Sequence, residues 1–92
     1  MKKPVANENE IAERHLKAVT SSNINRVGYN PASETLFVEF HGGRLYAYDG
    51  VPAKVYREFE AASSLGQFLN LIIKPGYSFR QIGGKAAKKA SK

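Results

Sequence analysis

The sequence predicts an α+β fold: a three-stranded antiparallel β-meander with helices packed on one face and an extra N-terminal helix. Three observations carry this reading. Thr35 to Phe40 alternates Leu36, Val38 and Phe40 with Thr35, Phe37 and Glu39, the period of a strand with two different faces. The stretches on either side, Ile24 to Asn30 and Arg44 to Asp49, are joined to it by short runs of turn-forming residues, which favours antiparallel neighbours. The stretches before and after these three carry apolar residues at helical rather than strand spacing. With 92 residues the chain suits one domain and one modest core.

Taken in order, Asn7 to Val19 reads as a helix. Asn7 can cap it with Glu10 three residues later, as in a capping box, and Ile11, Ala12, His15, Leu16 and Val19 fall on one face. Glu10 with Arg14 and Glu13 with Lys17 are spaced as i,i+4 ion pairs in the favourable order. Ser21, Ser22 and Asn23 link this helix to the first strand, where short polar side chains most often satisfy nearby backbone groups. Asn30 to Glu34 is a turn, with Pro31 suited to its second position. Pro52 to Ala62 is a helix with proline in its first turn, where the missing N–H costs nothing, and Val55, Tyr56, Phe59 and Ala62 form its apolar stripe. Ser64 to Ile73 opens with a second capping signal, Ser64 with Gln67, and directs Leu65, Phe68, Leu69 and Ile72 inward. Pro75 and Gly76 are expected to stop it. Tyr77 to Ile82 is a short extended segment, and Gly83 and Gly84 form a hinge. The predicted organisation is an N-terminal helical extension (1–18), a folded domain (19–82) and a basic tail (83–92).

The loop after Phe40 decides which residues share a face. With a two-residue loop of Gly42 and Gly43, Tyr46 and Tyr48 would stand opposite the apolar face and form an aromatic platform. With a three-residue loop, His41 to Gly43, Val38 faces Tyr46 and Leu36 faces Tyr48, so both tyrosines turn inward. A shift of one residue exchanges the two faces, and both loops are common. Burial favours the three-residue loop, because each aromatic ring removes roughly 150–250 Å² from water and a small domain needs that area. Phe37 then faces outward or lies under the N-terminal helix.

Composition narrows the function. There is no cysteine, which excludes disulfides, thiolate metal sites and a cysteine nucleophile. No stretch approaches the roughly 18 apolar residues of a membrane span, and the N-terminal MKKPVANENEIAER has no apolar run of the kind a signal peptide requires; a cytoplasmic protein with no membrane partner is expected. The net charge is +6, but residues 4–84 hold eight basic and eight acidic side chains and are neutral. The excess lies at the ends, on Lys2 and Lys3 and on Lys85, Lys88, Lys89 and Lys92.

The order VTSSNINRVGYN, TLFVEF, GGRLYAYDGVPAKVYREFEAASSLGQFLN and IKPGY, from Val19 to Tyr77, resembles the KTSC domain, a family named for its occurrence at the C-terminus of some lysyl-tRNA synthetases. The pieces that carry the resemblance are Ser21-Ser22, Gly28-Tyr29, Tyr46-x-Tyr48 running into Val51-Pro52, and Ser64-x-Gly66 followed by Phe68 and Asn70. Members also occur as small stand-alone proteins, many of them bacterial or phage-borne. The family brings no established activity. Its association with a tRNA synthetase implies RNA binding, by association.

The residues support no enzyme. His15 and His41 have no neighbouring nucleophile-and-acid pattern, and Glu39, His41 and Asp49 are too few for a metal site. No cofactor is expected. The stronger features suit nucleic acid, RNA more than DNA. Arg44 follows a glycine turn whose amides favour an anion. Lys85, Lys88, Lys89 and Lys92 are spaced i, i+3, i+4, i+7, so a helix formed against phosphates would present all four, with a salt slope of about −3.6 on duplex DNA. Tyr29 and Phe37 are candidate stacking residues. The alternative is a protein-interaction module acting on host machinery, which the neutral body favours.

Overall fold

The computed structural model describes residues 8–84. Helix α1 (Glu8–His15) leads into a two-residue strand β1 (Lys17–Ala18), then β2 (Ile24–Asn30), β3 (Thr35–Phe40) and β4 (Leu45–Tyr48). Helix α2 (Ala53–Ala61) follows. A second helical run is built from α3 (Leu65–Phe68), a π turn (Leu69–Ile73) and α4 (Lys74–Gly76), and β5 (Phe79–Gly83) closes the fold. The α+β class holds, but the sheet has five antiparallel strands in the order β1-β2-β3-β4-β5 rather than three. The meander is extended at one edge by β5, largely within the segment expected to be extended, and at the other by β1, which lies in the stretch expected to be helical.

The sheet buries both faces. On one, α2 and the second helical run cover Ile24, Val27, Leu36, Val38 and Tyr48, with Val51, Phe59, Leu69 and Ile73 completing that core. On the other, α1 covers Phe37, Leu45 and Ala47 through Ala12, aided by Ile11 and Leu16. Period two makes this possible: adjacent residues of β3 and β4 feed opposite cores.

The register of β3 and β4 pairs Val38 with Tyr46 and Leu36 with Tyr48, as burial favours. Phe40 N–H donates to Arg44 O at 2.9 Å, so His41, Gly42 and Gly43 form the loop. Gly42 and Gly43 have φ of 102° and 96°, values that a side chain would strain.

Several local expectations are corrected. The N-terminal helix stops at His15, because Lys17 and Ala18 pair with Val27 and Arg26 of β2. Leu16 therefore packs under α1 while Val19 reaches the opposite core, although their helical spacing suggests one face. The intended pair Glu13 and Lys17 is drawn apart: Glu13 binds Arg26 and Lys17 binds Glu60. In the second helical run, Ser64 does cap by accepting from Gln67 N–H at 3.2 Å. The π turn that follows, in which Lys74 N–H reaches back to Leu69 O, adds a residue to the turn. Ile73 then takes the inward place predicted for Ile72, which is 47% exposed. Pro75 sits in the first turn of α4, where it needs no N–H partner, so the helical run continues to Gly76.

Candidate functional site

Strand β5 pairs with β4 so that Phe79 faces Tyr48 and Gln81 faces Tyr46. This pairing places the Phe79 ring 5.3 Å from Tyr48 and 5.9 Å from Tyr46, between ring centroids. Tyr46 also meets Phe40 edge-on at 5.6 Å. The rings wall a notch of about 150 Å³, whose two cations are Arg44, just past the β3–β4 loop, and Lys74, at the start of α4.

The notch is chemically mixed. Tyr48 is fully buried, and burial, reinforced by neighbouring Tyr46, pushes its hydroxyl up to about 12, so the phenol is neutral at physiological pH. Phe79 remains 47% exposed. No acidic side chain lines the notch. Among the described residues, Arg44 and Lys74 form no salt bridge, whereas Lys17, Arg26 and Arg80 are each committed to carboxylates. A cation beside an open aromatic face matches a phosphate next to a planar, stackable group.

Of the residues singled out in the sequence, Arg44 is at this notch. Tyr29 is on another part of the sheet, stacked on Tyr56 at 4.8 Å and 10°. Its hydroxyl donates to Val51 O at 2.5 Å, and burial pushes its pKa up, with the Glu34 charge adding to the effect. Phe37 corrects the expectation of a stacking residue. It is 1% exposed beneath α1 and lies against His15 at 6.2 Å. Lys85, Lys88, Lys89 and Lys92 lie outside the described residues. The last described residue, Gly84, is packed so closely on the loop that a side chain there would collide with Gly43 O and come within 2.6 Å of Arg44 Cα. The described chain thus ends beside Arg44.

Lys74 and Phe79 were missed by sequence reasoning. The available signal was Tyr77, Phe79 and Gln81 alternating through the last extended segment. Once that segment is paired with β4, Phe79 shares the face of Tyr46 and Tyr48. The other polar groups weighed as chemistry are engaged in the fold. His41 Nε2 contacts Ser21 O at 2.9 Å. Glu39 is held by Arg26 at 2.7 Å, whose hydrogen bond holds its carboxyl below the usual range. Asp49 pairs with Arg80. Among the described residues, no three His, Asp or Glu side chains converge as metal ligands. No helix among them is long and apolar enough to cross a membrane.

The model of the KTSC domain matches residues 20–77. A KTSC domain protein from Yersinia pestis has a crystal structure similar to this one, with a TM-score of 0.69 at 36% identity, covering 74% of this chain and 96% of that one. A protein of Tsukamurella paurometabola is 42% identical over 62 residues, covering 67% of this chain and 92% of that one. A lysine–tRNA ligase of Nostoc sp. is 37% identical over 54 residues, which is 59% of this chain but 10% of the ligase.

Proposed function

The chain belongs to the KTSC domain family, and from that premise we propose that it is a non-enzymatic binding module for single-stranded nucleic acid, RNA in preference to DNA. The observation that carries this is the notch. Two cations without ion-pair partners among the described residues flank an exposed ring, and the last described residue, Gly84, stands beside one of them. A nucleotide offers the matching groups: a flat base for Phe79 and Tyr46, and a phosphate for Arg44 and Lys74. A paired base would not expose its face to Phe79, so an unpaired strand is favoured. The balanced charge of the folded part leaves long-range attraction to the tail and contact geometry to the notch. The likeness of a segment of a lysine–tRNA ligase supports RNA.

The test is a titration of labelled single-stranded RNA, single-stranded DNA and duplex DNA at two salt concentrations. The full chain is expected to prefer RNA over single-stranded DNA, and either over duplex. Replacing Arg44 and Lys74 together by alanine is expected to weaken binding to RNA at least tenfold. Deleting residues 85–92 is expected to flatten the salt slope by about 2.8, the share of four phosphates on a single strand. Equal weak binding to all three, lost on deleting the tail and unchanged in the double variant, would reduce the activity to a sticky tail.

A further inference from the structure

At the opposite edge of the sheet from the notch, β1 is the edge strand among the described residues, and small residues line the cleft beside it. Val19 N–H donates to Asn25 O at 3.1 Å, which makes Val19 and Asn25 a hydrogen-bonded pair of the antiparallel ladder. The alternation of that ladder turns the N–H and C=O of the preceding residue, Ala18, away from β2. Ala18 and the turn between α2 and α3 line one cleft. It has a volume of about 570 Å³ and is walled by Ala18 to Ser22 on one side and Ala62 to Leu65 on the other. This is within the range of ligand sites.

The hydroxyls in this cleft divide into two groups. Ser21 Oγ accepts from Asn23 N–H at 3.3 Å and Ile24 N–H at 3.2 Å, and Ser64 Oγ caps α3. These two serines hold the walls. Thr20, Ser22 and Ser63 are exposed, and their hydroxyls make no hydrogen bond among the described residues. Gly66 keeps the walls together, since a side chain there would come within 3.3 Å of Asn23 Nδ2. One end is closed by the Lys17–Glu60 ion pair at 2.8 Å. At Ala62, Ser63 and Ser64 the cleft continues into a shallower groove of about 220 Å³, lined by Phe68, Leu71 and Ile72. Leu71 is 71% exposed there.

We propose that this cleft binds an extended peptide segment of a partner protein, which adds as a strand to the outer edge of β1 and seats one apolar side chain in the Phe68–Leu71–Ile72 groove. Three features select this occupant. An outward-facing strand edge presents an N–H and a C=O that a peptide main chain matches in turn. Edges are ordinarily blunted by shortness, lysine, proline or a bulge; β1 is short, but its Lys17 is held by Glu60, and Ala18 to Ser22 carry neither lysine nor proline. The charged side chain in the lining is Glu60, an acid already bound to Lys17, which disfavours a phosphate chain and makes this site chemically distinct from the notch. Small side chains on both walls leave room for the main chain, and the apolar groove supplies the selectivity that main-chain bonding lacks.

The test pans a phage-displayed library of random octapeptides on the full chain, then titrates a selected peptide while following backbone amide resonances. The expected result is a peptide carrying one apolar residue that shifts the amides of Ala18 to Ser22 and of Ser63 to Leu65. Ser63→Arg, placed on an exposed turn, is expected to weaken it at least tenfold. Ala18→Pro removes the outward N–H and is expected to do the same, while Arg44→Ala leaves it unchanged. N-methylating alternate amides of the peptide is expected to abolish binding in one phase and spare it in the other. Selection of no peptide, shifts confined to the notch, or equal binding of both methylated phases would overturn the proposal. So would a concentration-dependent dimer that shifts the same amides without peptide, which would assign the edge to a second copy of the chain.

Discussion

Leu36 and Tyr48 face each other across β3 and β4, and both are buried against the helices of one face. The three-residue loop at His41 sets that pairing. A loop shortened by one residue would send Tyr48 to the α1 side, where Phe37 and Ala47 already fill the space. Deleting Gly42 is therefore expected to prevent cooperative folding rather than reduce stability slightly. Tyr48→Ala, which keeps the register, is expected to cost about 3–5 kcal/mol, the range for removing a buried aromatic ring. Urea denaturation checks both: a sigmoidal transition for the deletion variant would contradict this account of the loop.

Gly28 of β2 lies directly beneath the end of α1. A Cβ at this position would sit 2.6 Å from the carbonyl carbon and oxygen of His15 and 2.9 Å from Leu16 N. These are backbone atoms, so neither side can yield by rotating a side chain. Gly28→Ala is expected to lift the C-terminal end of α1, at a cost of about 1–3 kcal/mol, typical of overpacking. Hydrogen exchange should speed up across Glu8 to His15 before it changes in β3 and β4. Uniform acceleration across the sheet would show that α1 is not a separable layer.

How far the sequence discloses this fold depends on the distance over which each choice is made. The alternation in Thr35 to Phe40 is local, and so is the turn chemistry at Gly42 and Gly43; both are legible. The inward turn of Tyr46 and Tyr48 was also reached, because buried area discriminates between two registers. Ile72 was misplaced because a π turn changes helical phase, and the one nearby sign is Pro75, which reads equally well as a stop. Lys17 and Ala18 continue a helical pattern in sequence yet pair with β2, and only the sheet decides that. The notch shows the same limit. Arg44 is marked by its loop, but Lys74 and Phe79 join it through the pairing of β5 with β4, a contact between distant segments that no local pattern specifies. For Phe37 the sequence leaves two places, outward or under the N-terminal helix, and the packing of Ala12 over it selects the second, which removes it as a stacking ring.

Arg26 of β2 bridges Glu39 on β3 and Glu13 on α1, with N–O distances of 2.7 and 2.8 Å. Hydrogen bonding to Arg26 is the main cause that holds both carboxyls below their ordinary value of 4.5. A carboxyl depressed in the folded state contributes stability in full above its unfolded pKa and loses it as pH falls through the folded one. Denaturation midpoints are thus expected to stay level from neutrality down to about pH 5 and to decline below about pH 4.5. Glu39, the better buried of the two acids, carries more of this effect, and Glu39→Gln is expected to cost about 2 kcal/mol at neutral pH, as for a hydrogen bond to a charged group. In Arg26→Gln the acid decline should be shallower. An unchanged slope in that variant would place the acid sensitivity elsewhere.

The tyrosines predict the behaviour at the other end of the pH scale. Burial pushes the Tyr48 hydroxyl up from 10.0 to about 12. Tyr56 is raised too, by burial first and then by its hydrogen bond to Glu60. For a phenol, a raised folded pKa means that the native state resists ionisation. Its stabilising effect is complete below the unfolded value and is lost as pH rises from about 10 toward 12. In a tyrosinate absorbance titration, ionisation of these raised phenols should therefore form a late phase that coincides with loss of the far-ultraviolet circular dichroism signal. Tyr48→Phe is expected to remove one phenol from the late phase and to move the alkaline transition to higher pH. An alkaline transition that stays in place in Tyr48→Phe would mean that another group, not this buried phenol, opens the fold.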